Sequence, residues 1–332
     1  MIEFEDVTKQ YPDGTVAVDQ LSLRIPSNEI TVFVGPSGCG KTTSLRMINR
    51  TIERSSGRIS IDGEDINDKD PVVLRRGIGY VIQHAGLFPH KTVVDNVATV
   101  PKLLGWDKKK SRSVAMELLE RVGLDLKLAE RYPAQLSGGQ QQRVGVARAL
   151  AADPLVMLMD EPFSAVDPIV RHQLQEELLR LQRDIGKTIV FVTHDIDEAI
   201  KLGDNVAVLR VGGKLAQFAP PKELLADPAD DFVESFIGQD RGYRKLTFLK
   251  ADHLPLGPVP ADLSLGDNGE PLGWQSNGEV LPIGAAFRTG DSLRAAMDAV
   301  LTSPVGQGIC VDESGKAVGV IDYTTLTGAL RP

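Results

Sequence analysis

Apolar residues along the first two thirds of the chain fall in short runs separated by amphipathic stretches. Residues 30–34, 156–159 and 188–193 are apolar almost throughout, as strands buried on both faces are, and each run ends at polar residues. From about residue 2 to 226, such runs alternate with helical segments, which predicts an α/β unit of parallel strands joined by helices. In open α/β sheets, ligands bind beyond the carboxyl ends of strands, so those polar ends are the first places to look for chemistry.

Between about residues 93 and 153 the period becomes helical: Val114, Leu118, Leu119 and Val122 share one face, which predicts a helical insertion. Beyond Gly238, proline and glycine become dense, through Pro255, Gly257, Pro258 and Pro260, before regular patterns resume near Asp291. The change divides the chain into residues 1–238 and a small α+β part, residues 239–332. In that tail, Leu293, Met297, Val300 and Leu301 recur at helical spacing. The strand GICVD, the turn ESGK, the strand AVGVID and the helix-like YTTLTGAL follow.

Composition narrows the function. The chain's 332 residues carry a net charge of −8, which offers no basic field to gather nucleic acid or acidic lipid. Cys39 and Cys310 lie too far apart to suggest a metal site or a disulfide framework, and a reducing compartment fits them. The N-terminus MIEFEDVTKQ has acidic residues where a signal peptide needs basic ones, and no stretch approaches the roughly 18 apolar residues that span a bilayer. A pore, if the chain serves one, is expected on other chains.

Directly after the strand ITVFV stands Gly35-Pro36-Ser37-Gly38-Cys39-Gly40-Lys41-Thr42, a P-loop in the strand-to-helix context it requires. Glycines let backbone N–H groups turn toward phosphates, the following helix presents its positive end, Lys41 supplies a point charge, and the Thr42 hydroxyl suits Mg²⁺. Ser37, Gly38, Gly40 and Thr43 complete the expected phosphate shell, with Cys39 a small filler. The loop by itself implies only a nucleoside triphosphate. A second helix start follows at Leu136-Ser137-Gly138-Gly139-Gln140. Ser137 and Gln140 have capping-box spacing, and Gly138 and Gly139 leave room for an anion at the amides. A plain capped helix accounts for Ser137 and Gln140, but not for the double glycine.

LSGGQ resembles the signature of ABC ATPases, and its position after the P-loop and before an acidic strand end is the order found in that family. The match covers about residues 1–238 and implies a P-loop α/β domain with a mixed sheet core and a helical insertion. The resemblance implies a homodimer with two composite ATP sites, the signature of one subunit closing on the P-loop of the other. Asp160 and Glu161, at the end of the strand LVMLM, form the expected Walker B pair. Asp160 would hold Mg²⁺ through water, and Glu161 would activate the attacking water. By the same resemblance, His194 is the switch histidine at the γ-phosphate, Gln83 the nucleotide-sensing glutamine near the metal, and Tyr11 the ring that stacks on adenine. Asp167 belongs to the D-loop at the dimer interface, and it is equally suited to cap the helix that begins near Pro168.

The stretches VFVGPSGCGKTTSLRMINR, RRGIGYVIQHAGLFPH and YPAQLSGGQQQRVGVARAL are most similar to ATPases of osmoprotectant importers, which take up glycine betaine, choline, carnitine or related amines. That implies partner permease subunits, an extracytoplasmic substrate-binding protein or domain, and a peripheral place on the cytoplasmic face of the membrane, with no nucleic acid involved. Another small solute, an amino acid or related amine, is the alternative cargo; a soluble ABC protein of repair or translation is the alternative class. The tail resembles one CBS unit over about residues 283–330, with only a weak match across residues 243–282. It would regulate the ATPase or simply help it dimerise.

Overall fold

The computed structural model describes residues 1–83, 85–238, 240–276 and 278–328. The chain divides into two compact units, Met1–Phe236 and Ile237–Pro332.

The first unit opens with β1 (Ile2–Gln10), β2 (Val16–Ile25) and β3 (Ile30–Val34), followed by α1 (Lys41–Ile48). Next come β4 (Ser56–Ile61), β5 (Glu64–Asp65), α2 (Pro71–Arg76) and β6 (Ile78–Ile82). The helical insertion holds α3 (Val93–Val97), α4 (Thr99–Leu103), α5 (Lys108–Arg121) and α6 (Gly138–Leu150). After it come β7 (Val156–Asp160), α7 (Pro168–Ile185), β8 (Thr188–Val192), α8 (Ile196–Leu202), β9 (Asn205–Arg210) and β10 (Lys214–Ala219). Two helices, α9 (Pro221–Ala226) and α10 (Asp231–Ile237), complete the series.

Two sheets result. The larger runs β10-β9-β3-β8-β7-β6, all parallel except β10, which pairs antiparallel with β9. Every residue of β3, β7 and β8 is buried, as their almost wholly apolar runs require. The smaller sheet, β2-β1-β4-β5, is antiparallel, so the unit combines parallel and antiparallel pairing, as a mixed sheet core requires. Its longest strand buries alternate residues over its second half: Leu21, Leu23 and Ile25 of β2 face inward while Ser22 and Arg24 stay exposed. That is the pattern of a sheet wet on one side. The sheets share a core in which Phe4 and Phe33 meet edge to face with ring centroids 6.5 Å apart.

The insertion is helical as expected, but α5 starts earlier, capped by Asp107, and its fully buried positions are Ser111, Ala115 and Leu119, with Val114 and Leu118 only partly covered. Register across the larger sheet aligns Phe33, Val192, Asp160 and Ile82 in one row. The loops that follow β3, β8, β7 and β6 therefore leave the sheet at a common edge.

The second unit contains α11 (Arg241–Lys245), an antiparallel sheet of β11 (Leu263–Leu265), β12 (Pro271–Ser276) and β13 (Glu279–Leu281), and a second three-stranded sheet. The latter is built in the order β14 (Ala286–Arg288), α12 (Leu293–Thr302), β15 (Gln307–Val311), β16 (Ala317–Asp322), α13 (Tyr323–Gly328). β14 and β15 are parallel, as a helical crossover allows, and β16 returns antiparallel. Helix α12 buries Leu293, Ala296, Met297 and Val300, the i, i+3, i+4, i+7 stripe. Leu301 lies off that stripe and is exposed, contrary to its expected place on the inner face. Residues 329 and 330, the last of the expected repeat, lie outside the described residues.

Candidate functional site

Residues 35–43, Glu161 and His194 surround a cavity of about 680 Å³ at the common sheet edge, together with Ala17 and Phe236. The loop closes tightly over its own unit. A Cβ on Gly35 would come within 2.3 Å of the Leu209 carbonyl oxygen, and one on Gly40 within 2.3 Å of that of Ala17, where φ is also +99°. Helix α1 starts at Lys41 with no side-chain cap and no acidic residue in its first turn, so its leading N–H groups are left for an anion. Lys41 is almost fully buried. Its Nζ donates to the Gly35 and Pro36 carbonyls at 2.8 and 3.0 Å and lies 3.8 Å from the Cys39 sulfur. The loop thus holds the ammonium at its own centre.

Asp160 ends β7 in a nearly closed setting. One carboxylate oxygen accepts from the Thr42 hydroxyl at 2.8 Å; the other accepts from Arg46 Nη2 at 3.2 Å and from the Tyr80 hydroxyl at 3.4 Å. The hydrogen bond to Tyr80 and the nearby Asp160 charge hold the Arg46 guanidinium above its ordinary pKa, and burial raises that of Tyr80. Neither residue was expected at the site. Arg46 carried a signal, since it lies one turn beyond Thr42 on α1 and hence on the same face. Hydroxyl and carboxylate oxygens held together are donors that suit a hard divalent cation, so the pair fits Mg²⁺.

Glu161 takes a left-handed backbone conformation, with φ +47°, while its N–H donates to the Val192 carbonyl at 3.0 Å. The turn brings its carboxylate to 3.1 Å from Nδ1 of His194, which follows β8 by two residues. Ser164 ties the next loop back, its hydroxyl donating to the Glu161 carbonyl at 2.9 Å.

Other expected residues lie apart from this cavity. Ser137 caps α6 in a complete capping box: its N–H donates to Gln140 Oε1 at 2.9 Å, and the Gln140 N–H returns to Ser137 Oγ at 3.3 Å. Gly138 is open to solvent, whereas Gly139 is buried, and a Cβ there would meet Val170 Cγ1 at 2.6 Å. The room expected at the second glycine is taken up by packing on α7. Asp167 caps α7, accepting from the Val170 N–H at 3.1 Å. Gln83 is exposed one residue past β6, and Tyr11 is half-buried with its N–H bonded to Thr15. Neither lines the cavity; the aromatic ring that does is Phe236 of α10.

Known proteins show the same architecture. A family model described as ABC transporter matches residues 18–164. The osmoprotectant import ATP-binding protein OsmV of Salmonella typhimurium is 46% identical across 97% of this chain and 95% of its own length. The glycine betaine/carnitine/choline transport ATP-binding protein OpuCA of Bacillus subtilis is 56% identical over 73% of this chain, which spans 63% of OpuCA. Among solved structures, the dimeric ATP-binding cassette MJ0796 bound to ADP and Pi superposes with a TM-score of 0.60 at 35% identity, covering 67% of this chain and 99% of that one. With a phosphate-binding loop, strand-end carboxylates and a second glycine-rich helix start in this order, and with a relative this similar along nearly its whole length, the chain belongs to the ATP-binding proteins of the ABC transporter family.

Proposed function

We propose that this chain is the ATP-hydrolysing subunit of an importer for osmoprotectants such as glycine betaine, choline or carnitine. It works as a homodimer on the cytoplasmic face of the membrane, beneath permease subunits fed by an extracytoplasmic substrate-binding protein. The observation that carries this reading is the division of the phosphate-binding parts. Residues 35–43, Glu161 and His194 line one cavity, while residues 137–140 stand apart from it in the same chain. Two chains arranged head to tail complete two sites. The cargo follows from the names of OsmV and OpuCA. Among the described residues no helix is long and apolar enough to cross a membrane.

Within one site, Lys41 and the leading N–H groups of α1 bind the phosphates, with Ser37, Gly38, Gly40 and Thr43 shaping the cradle around Cys39. Thr42, Gln83 and, through water, Asp160 would hold Mg²⁺, which when bound would neutralise charge on the phosphates. Glu161 orients the attacking water and takes its proton, and His194 stabilises charge at the γ-phosphate. Ser137, Gly138, Gly139 and Gln140 of the partner chain present the second helix start, and Asp167 borders that interface. Tyr11 is the expected stacking partner of adenine; Phe236, which lines the cavity, offers a second aromatic face.

The βαββα order of residues 286–328 supports a CBS-like module that adjusts ATPase output to ionic strength or a nucleotide. Removing the residues after Gly238 should then alter the salt response of uptake; an unchanged response leaves the tail a dimerisation aid. A soluble repair ATPase, with long coiled coils between its motifs, is disfavoured by the compact insertion α3–α6. Vesicles containing the chain with its permease and binding protein should take up radiolabelled glycine betaine only with ATP inside. Failure of glycine betaine, choline and carnitine alike to enter would refute the cargo assignment.

A further inference from the structure

Glu198 has no role in the site as described, yet its carboxylate is buried behind His194. It occupies the third position of α8, where a capping box would turn the side chain back to the N–H of the capping residue, Asp195. That N–H is already bonded to Thr193 Oγ1 at 3.0 Å. The Glu198 carboxylate instead accepts from the Thr193 hydroxyl at 2.6 Å and from the Gln175 side-chain amide of α7 at 3.1 Å. Thr193 and Asp195 flank His194, so the histidine is held on both sides by residues that this network fixes.

Four residues before Gln175, and hence on the same face of α7, Arg171 grips the other half of the site. Its Nε donates to the Phe163 carbonyl at 3.2 Å and its Nη2 to that of Val166 at 3.0 Å, in the loop that Ser164 ties to Glu161. Between the two grips lies a cavity of about 50 Å³, lined by Glu161, Ser164, Arg171, His194 and Glu198 among others. A buried carboxylate is costly to keep, and an apolar residue would fill this volume with less penalty.

We infer that Glu198, seated on Gln175, is a positioning residue for His194, and that with Arg171 one turn away α7 sets the separation of His194 from Glu161. The inference rests on the proposed roles of those two residues in hydrolysis. Glu198 acts through the loop that carries the histidine, not by touching substrate.

The test is a double-mutant cycle on the full-length protein in its complete transporter, with ATPase rates, fluorescent-nucleotide binding and thermal melting measured together. Glu198→Ala should lower kcat by about tenfold or more while KM for ATP stays within about twofold. Glu198→Gln, which can still bond both partners after an amide flip, should restore most of the rate. Gln175→Ala repeats the kcat effect if Glu198→Ala fails to fold. In a His194→Ala background, the further loss from either alanine variant should shrink to within about twofold. Losses that multiply in full on a slow His194→Ala enzyme overturn this inference alone, as does a wild-type kcat in Glu198→Ala or, where that variant does not fold, in Gln175→Ala. A wild-type rate for His194→Ala overturns the reading of the site and this inference with it.

Discussion

His194 Nδ1 lies 3.1 Å from Glu161 Oε2 because the strands that deliver the two residues are neighbours in register, Asp160 opposite Val192. Residues far apart in the chain are thus brought together by backbone pairing deep in the sheet, and the catalytic proposal depends on that pairing more than on the loops around it.

Replacing Glu161 with Gln keeps the size of the side chain and its ability to meet His194, but removes the base. The variant should bind ATP with near-wild-type affinity and accumulate as a closed dimer, with hydrolysis reduced by about a hundredfold or more. Size-exclusion chromatography with ATP and a phosphate-release assay read both effects. Near-normal turnover would take the general base away from Glu161.

Lys41→Ala acts at an earlier stage. The buried ammonium is bonded to the carbonyls of Gly35 and Pro36, so its loss removes both the charge meant for the phosphates and two ties that shape the loop. Nucleotide affinity should fall by at least about tenfold, seen in fluorescent-nucleotide titration. Unchanged affinity would place the phosphates elsewhere.

The paired glycines at the start of α6 should respond differently to alanine. At Gly139 a methyl group meets Val170, so Gly139→Ala should cost about 1–3 kcal/mol of stability, and Val170→Ala should recover part of it. At Gly138 no atom is near, so Gly138→Ala should melt like the wild type yet lose ATPase activity, because the added methyl obstructs the approach of a phosphate from a second chain. Chemical denaturation separates the two. Equal destabilisation by both would contradict the packing described.

Burial raises the Glu198 carboxyl above the ordinary carboxylate range, with the Asp195 charge adding to the rise and the Thr193 and Gln175 hydrogen bonds and the Arg171 charge opposing it. A raised folded-state pKa means that the native protein holds the proton more tightly. The group's contribution to stability is therefore full below the unfolded pKa and is lost as pH rises through the folded value. Wild-type stability, measured against Glu198→Gln, should decline from about pH 4 upward across that window. A pH-independent difference between the two melting curves would count against a strained carboxylate at this position.

β3, β7 and β8 are legible in the sequence because strands covered on both faces leave almost wholly apolar runs ending at the polar loops that matter. The antiparallel β1 and β2 are harder, since one wet face scatters charges such as Glu3, Glu5 and Arg24 among the apolar residues and the stretch loses its resemblance to a buried strand. Within the site, short-range patterns such as residues 35–42 read directly from residue types. The bonds of Arg46 and Tyr80 to Asp160 span separations of 114 and 80 residues and arise only once α1, β6 and β7 are packed. Phe236 escaped for the same reason, and the adjacency of Gln175 and Glu198 depends on the docking of α7 against α8.

The left-handed backbone at Glu161 also limits how this ATPase could decay. Branched side chains such as Val, Ile and Thr are strained there, whereas Asn, Asp and Gly accept the conformation readily. A lineage losing hydrolysis through this position would drift toward that narrow set or toward Gln, so descendants that only bind nucleotide should carry a recognisable scar beside an intact Asp160.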